Sequence, residues 1–318
     1  MVTLQQVVEA HSRIKPYIRR TPTVRFAPLR EDLPYKIWLK CENLQVTGSF
    51  KTRGAVNRVL ALTAEEVGRG IITASGGNHG LGVTYAARLR GATPTVYVPQ
   101  KADESRRERL RRWGAHVVAE GRDWDDAYAA ALKKSEETGA AIVHPFDDPW
   151  IIAGQGTAMA EFLEDCTEPL DAVIAGIGGG GLISGIAVCS KAQSPKTAVI
   201  GVEPSGAASM TASIQAGKLV ELPAVKSIAD TLSARKVGPL TLEICMRFVD
   251  RIVLVEDVDM VNAINKLWEE HNLLVEPSGA APLAALLSGK TGLPPGSRVG
   301  LIVSGGNIDA HSAIDRYY

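Results

Sequence analysis

Short apolar runs rich in Val, Ile and Ala alternate along this chain with longer stretches of helical periodicity, and glycine marks most of the junctions. No other feature constrains the fold as strongly, because this alternation is the signature of βαβ units wound around a parallel sheet. Candidate strands fall at 36–40, 70–74, 93–98, 116–120, 141–144, 172–177, 198–203, 251–255 and 299–303. Between them, stretches such as 103–113 and 123–138 place charge on one face and Leu or Ala on the other, as surface helices do. The expected class is α/β.

Composition narrows the partners. The 318 residues suffice for one large or two ordinary domains with a substantial core. Lys plus Arg and Asp plus Glu number 35 each, so no global charge draws the chain to nucleic acid or an anionic membrane, and a small-molecule partner is expected. The start, Met1-Val2-Thr3-Leu4-Gln5-Gln6, lacks a basic stretch followed by an apolar one, and no apolar run reaches membrane-span length, which reads as a cytoplasmic protein. Cys41, Cys166, Cys189 and Cys245 lie far apart and read as reduced thiols of the interior. The basic run 106–112 contains Glu108 on an amphipathic helix and reads as a solvated face.

Four segments carry candidate chemistry. In Gly48-Ser49-Phe50-Lys51-Thr52-Arg53-Gly54, Ser49 is placed to cap a helix with Lys51 in its first turn. Unpaired N–H groups and the helix dipole there favour a neutral amine able to attack an aldehyde; the alternative is a surface lysine in a first turn. The apolar run 172–177 ends in Gly178, Gly179, Gly180 and Gly181 before a helical pattern resumes. Such a turn cradles an anion with its backbone N–H groups. Gly176, Gly178 and Gly181 also satisfy G-x-G-x-x-G, with Glu203 where a ribose-binding acid would lie, and close packing without a ligand is a third reading.

The loop Ser75-Gly76-Gly77-Asn78-His79-Gly80 combines backbone donors with a hydroxyl, an amide and an imidazole. It suits a substrate carboxylate or a cofactor phenolate, or else is a helix cap built from Ser75 and Asn78. His79 reads as a structural hydrogen-bonding group or an acid–base group. The strand at 299–303 delivers Ser304-Gly305-Gly306-Asn307 to its carboxyl end, where Ser304 either meets a ligand or forms a turn. The two glycine turns lie about a hundred residues apart, so two α/β lobes with a cleft between them are expected.

Taken together, these segments with Lys40-Cys41-Glu42-Asn43-Leu44-Gln45, Val202-Glu203-Pro204-Ser205 and Glu276-Pro277-Ser278-Gly279 closely resemble the fold-type II pyridoxal-phosphate enzymes, in the branch of serine/threonine dehydratase and serine racemase. The match runs in order along nearly the whole chain, and a dehydrogenase has no use for Lys51. The resemblance implies two lobes, each a mostly parallel twisted sheet flanked by helices: residues 1–48 plus 146–318 bind the cofactor and 49–145 the substrate. It implies that Lys51 forms a Schiff base with pyridoxal 5'-phosphate, that Phe50 packs near the ring, that Asn78 bonds the phenolic oxygen, and that the backbone of Gly178, Gly179, Gly180, Gly181 and Leu182 holds the phosphate.

By the same resemblance, Ser75, Gly76, Gly77, Asn78 and His79 hold the amino acid, and Ser304 faces the pyridine nitrogen. A hydroxyl there does not enforce ring protonation, which favours loss of a β-substituent over transamination. The implied reaction has Lys51 take the α-proton of a β-hydroxy amino acid, such as serine, threonine or a bulkier homologue. The hydroxyl then departs with a proton from the cofactor phosphate, and hydrolysis yields a 2-oxo acid and ammonia. A serine racemase and, more distantly, a β-replacement enzyme are the alternatives, and a homodimer is implied.

Departures from the family pattern refine these expectations. Racemases of the branch carry a second serine at the position of Gly76, so racemisation is disfavoured and space beside the substrate is enlarged. Glu203 and a carbonyl near Ala207 match two ligands of a divalent-cation site, but neutral Ser209 replaces its second acid, and no metal is expected. Thr231 stands where relatives usually have glycine, with no effect assignable from sequence. The sequence ends at Tyr318, so an appended regulatory domain is not expected.

Overall fold

A computed structural model describes residues 1–27 and 33–308. Its strands are β1 (Thr23–Phe26), β2 (Lys36–Cys41), β3 (Ile71–Ala74), β4 (Thr95–Val98), β5 (His116–Ala119), β6 (Ala141–Ile142), β7 (Ala172–Gly176), β8 (Ala198–Pro204), β9 (Arg251–Val255) and β10 (Arg298–Val303). They form two sheets, one in the order β1-β2-β10-β7-β8-β9 and one in the order β5-β4-β3-β6. The α/β class with mostly parallel sheets is therefore as expected. β7 is buried throughout, as an apolar run in a parallel sheet covered by helices on both faces must be.

β1 is the strand that the sequence pattern misses. It pairs antiparallel to β2 at the sheet edge, with Thr23 opposite Lys40 and Phe26 opposite Ile37. Its four residues mix polar and apolar side chains with only Phe26 fully buried, too short and too mixed to register as a periodic signal.

The larger sheet lies between two apolar layers. One includes Ile37, Leu39, Ile174, Ile264 and Leu283. The other includes Val173, Ile183, Ile186, Phe162 and Ile302. Alternate strand residues point into opposite layers, as the period-two geometry of a strand requires. Cys41, Cys189 and Cys245 are buried and Cys166 half-buried, all as free thiols. Among the described residues no helix is long and apolar enough to cross a membrane.

The helix Lys51–Leu60 crosses the helix Pro149–Asp165 at glycine against glycine: a Cβ on Gly154 would stand 2.6 Å from the Gly54 Cα. Such proximity fixes where the helix that begins with Lys51 sits. It also buries Arg53, whose guanidinium forks onto Glu42 (2.8 and 2.8 Å) and Glu161 (2.9 and 2.6 Å). Lys40 joins this network through Glu161 at 3.0 Å, with no side-chain exposure.

Ser49 does not cap that helix. Its N-terminal flank is Phe50, without a side-chain cap, and the buried Ser49 hydroxyl has no hydrogen-bond partner among the described residues. Ser49 is instead held by its backbone in an antiparallel bridge to Gly305, and that pairing takes the place of the local cap.

Candidate active site

The strand ends bring the site together. β10 ends at Ser304, β7 at the glycine turn, and β3 at the Ser75 loop, the carboxyl ends at which α/β ligand sites form. Backbone pairing fastens the lysine segment to the β10 end: Phe50 N–H donates to the Ser304 carbonyl (3.0 Å) and Gly306 N–H to the Gly48 carbonyl (3.0 Å). Gly48 has φ +78°, and a Cβ there would meet the Asn307 amide at 2.3 Å, so glycine alone fits.

Lys51, Phe50, Asn78, Ser304, the turn Gly178, Gly179, Gly180 and Gly181, and Leu182 all line one pocket. Gly76 and Gly77 line the adjoining outer cleft together with Asn78. His79 does not present its ring in this way. Its Nε2 meets the Val143 carbonyl at 3.1 Å inside the smaller lobe, and burial holds its pKa well below the usual histidine value. Ser75 does not cap a helix either; its hydroxyl accepts from Gly77 N–H at 3.3 Å, which closes the loop on itself.

The turn at 178–181 has no room for side chains. A Cβ on Gly179 would stand 2.2 Å from the Phe146 ring, one on Gly178 2.9 Å from the Thr231 carbonyl, and one on Gly181 3.0 Å from Phe146. Gly180 has φ +95°. The helix Gly181–Gln193 begins here, and the N–H groups of its first turn have no intrahelical partners, an arrangement able to receive an anion.

Lys51 Nζ donates to the Pro145 carbonyl at 2.6 Å. Burial lowers its pKa to about 8, partly opposed by Glu276. His144 lies close to the same amine, and burial together with the Lys51 charge lowers it to about 4, so it stays neutral. Its Nδ1 accepts from Phe146 and Asp147 N–H (3.2 and 2.7 Å) and shapes the turn that carries Phe146. A nucleophilic amine, a phosphate cradle and the buried Ser304 hydroxyl on one pocket fit a phosphorylated aldehyde with a ring nitrogen.

Sequence reasoning gave Glu276, Thr231 and Phe146 no role, yet all three line this pocket. Glu276 accepts from Asn78 Nδ2 (2.7 Å) and the Ser278 hydroxyl (2.8 Å), and burial pushes its pKa up to about 7. The Thr231 hydroxyl donates to Ser278 at 2.6 Å, so the unusual threonine feeds the hydrogen-bond chain that ends on Glu276. Only the Glu276-Pro277-Ser278-Gly279 motif hinted at this group.

Glu203 is engaged elsewhere. Its buried carboxylate accepts from the N–H groups of Met210 (2.8 Å) and Thr211 (2.9 Å) and from the Thr211 hydroxyl (2.6 Å). Ala207 is buried beside this helix start, and among the described residues no group of three or more His, Cys, Asp or Glu is arranged to hold a metal ion.

Comparison with known proteins agrees with the geometry. The chain is 41% identical over 316 residues to L-threonine ammonia-lyase of Thermotoga maritima, covering 99% of this chain and 78% of that one. It is 39% identical to serine racemase of Arabidopsis thaliana, covering 98% and 95% of the two. The crystal structure of the T.th. threonine deaminase superposes with a TM-score of 0.91 at 40% identity, over 96% of this chain and 99% of that one. The model of the pyridoxal-phosphate dependent enzyme family matches residues 14–305, and the chain belongs to that family.

Proposed function

We propose that the protein is a pyridoxal-phosphate-dependent dehydratase that converts a β-hydroxy amino acid to a 2-oxo acid and ammonia. The observation that carries this reading is the Lys51 amine, its pKa lowered to about 8 by burial, in one pocket with the glycine cradle and Ser304. When bound, pyridoxal phosphate supplies an electron sink that acidifies the α-carbon of an attached amino acid.

The residues divide the remaining work. Gly178, Gly179, Gly180, Gly181 and Leu182 would hold the phosphate through backbone N–H groups. Phe50 would flank the ring, Ser304 would face its nitrogen, and the Asn78 amide would bond its phenolic oxygen. Ser75, Gly76, Gly77, Asn78 and His79 form the loop that binds the α-carboxylate, His79 from behind through its buried bond. Lys51 Nζ takes the α-proton, the step for which a pKa near working pH is best suited. Loss of the β-hydroxyl and release of ammonia need no acid on the opposite face.

Gly76 favours dehydration over racemisation, since a glycine has no proton to deliver. Two lobes follow the two sheets, residues 1–48 plus 146–318 with the cofactor and 49–145 with the substrate loop. The resemblance supports a cytoplasmic homodimer, checked by sedimentation, and the neutral net charge supports a small-molecule partner. Incubating the holoenzyme with serine, threonine, hydroxyaspartate and phenylserine is expected to release 2-oxo acid from at least one, with unreacted substrate keeping its chirality. Racemised substrate without oxo acid would transfer the protein to the racemase reading.

The amine also sets a pH dependence. Uptake of pyridoxal phosphate by the cofactor-free protein is expected to quicken as pH rises and to level off above about 8, because only the neutral amine reacts. Glu276→Gln removes the charge that holds the Lys51 proton, so the plateau moves to lower pH. Stopped-flow absorbance measures both; a rise that continues to pH 10 contradicts the lowered pKa.

A further inference from the structure

The pocket that holds Lys51 opens into a cleft of about 1220 Å³, and the two share Asn78, Thr231 and Glu276. An amino acid held with its α-carbon beside the Lys51 amine and its carboxylate on the 75–79 loop has its side chain left to project into that cleft. The charges on the cleft wall therefore read the side chain.

Most of those charges are already matched. Arg106 pairs with Asp230 at 2.5 Å, and Glu104 with Arg107 and Arg111. Asp257 accepts from the Ser227 hydroxyl (2.6 Å) and Ile228 N–H (3.2 Å). Glu276 is held by Asn78 and Ser278. Lys226 is exposed, so water screens it.

Arg109 differs from these. It projects from the helix Glu104–Trp113 into the cleft, is half-buried, and among the described residues makes no ion pair. Among the described residues its one hydrogen bond runs from Nη2 to Asn307 Oδ1 at 2.5 Å, a single partner for a group with five donors. Burial pulls its pKa down, with only Glu276 opposing. Asn307 Nδ2 in turn donates to Asn78 Oδ1 at 2.7 Å, so two hydrogen bonds separate the guanidinium from a residue of the Lys51 pocket. The basic helix is thus more than a solvated face: Arg111 and Arg112 pair with acids on their own helix, while Arg106 and Arg109 turn to the cleft.

We propose that Arg109 selects an amino acid bearing a second carboxylate on its β-carbon, so that the substrate class is a 3-hydroxy dicarboxylic amino acid; this rests on the dehydratase reading. The methyl or hydrogen that threonine or serine offers at this point leaves the guanidinium without an anion. A carboxylate pairs with it through two parallel N–H···O bonds, the strongest contact this side chain makes.

The test compares kcat/KM of the holoenzyme for the isomers of 3-hydroxyaspartate and for threonine, in the native protein, Arg109→Lys and Arg109→Met. A charge-assisted bond corresponds to a roughly 10- to 100-fold preference. The native enzyme is expected to favour one isomer of 3-hydroxyaspartate by at least about tenfold, Arg109→Met to lose that preference, and Arg109→Lys to retain part of it. Equal losses on both substrates would make Arg109 a support for Asn307 and overturn the proposal, as would an unaltered ratio.

A second measurement separates this proposal from the reading beneath it. Spectral titration of the holoenzyme with aspartate and asparagine, neither of which has a β-hydroxyl, is expected to show tighter binding of aspartate, abolished in Arg109→Met. That preference without turnover of any β-hydroxy amino acid would retain carboxylate selection and discard the dehydratase. Threonine turnover without that preference would do the reverse.

Discussion

Lys51→Ala is expected to abolish turnover, with kcat lower by at least about 10,000-fold, the upper range for removing a positioned acid–base group. The loss is catalytic and not structural. In the folded protein burial lowers the Lys51 pKa to about 8 from the ordinary lysine value, so the fold binds this proton less tightly than the unfolded chain does. Below about pH 8 the native state carries the full cost of a desolvated ammonium. That cost fades as pH rises and is gone above the ordinary lysine range. Removing the amine lifts the cost, so the thermal midpoint of the cofactor-free variant at pH 7 is not expected to fall. Turnover within tenfold of native would sink the assignment of Lys51, and a collapsed midpoint would make it structural.

The second large effect concerns stability. Arg53→Met leaves Glu42 and Glu161 in a dry interior without the fork that neutralises them, and breaking a buried pair from one side costs about 3–5 kcal/mol. For a chain of this size the thermal midpoint should drop by roughly 5–8 °C. Arg53→Lys keeps the charge but not the two parallel bonds to each carboxylate, so it recovers only part. Because Arg53 sits two residues beyond Lys51 on one helix, cofactor affinity falls with stability. Scanning calorimetry with and without pyridoxal phosphate measures both, and a shift below about 2 °C would show that the network is replaceable.

The parts of this site legible in the sequence are those whose physics is local. A buried parallel strand must be a continuous apolar run, and a turn pressed against a neighbour must be glycine, so β7 and the residues at 178–181 announce themselves. Long-range contacts leave no such trace. Phe146 abuts the turn because of a bend held by His144, and Arg109 reaches Asn307 across 198 residues of chain. Ser49 shows the converse, since a serine before a helix reads as a cap until a distant strand end claims its backbone.

By itself the sequence determined the α/β class and nearly all the strands, and it singled out Lys51 and the glycine turn as candidates, because hydrophobic period and backbone sterics act over a few residues. Only the tertiary structure decided which charges are matched. Glu276 draws hydrogen bonds from Asn78 and Asn307 on distant segments as well as from neighbouring Ser278, and among the described residues Arg109 is left without an ion pair because the nearby carboxylates bond elsewhere. Electrostatic energies depend on separation in space and on exclusion of water, and neither is written in residue order.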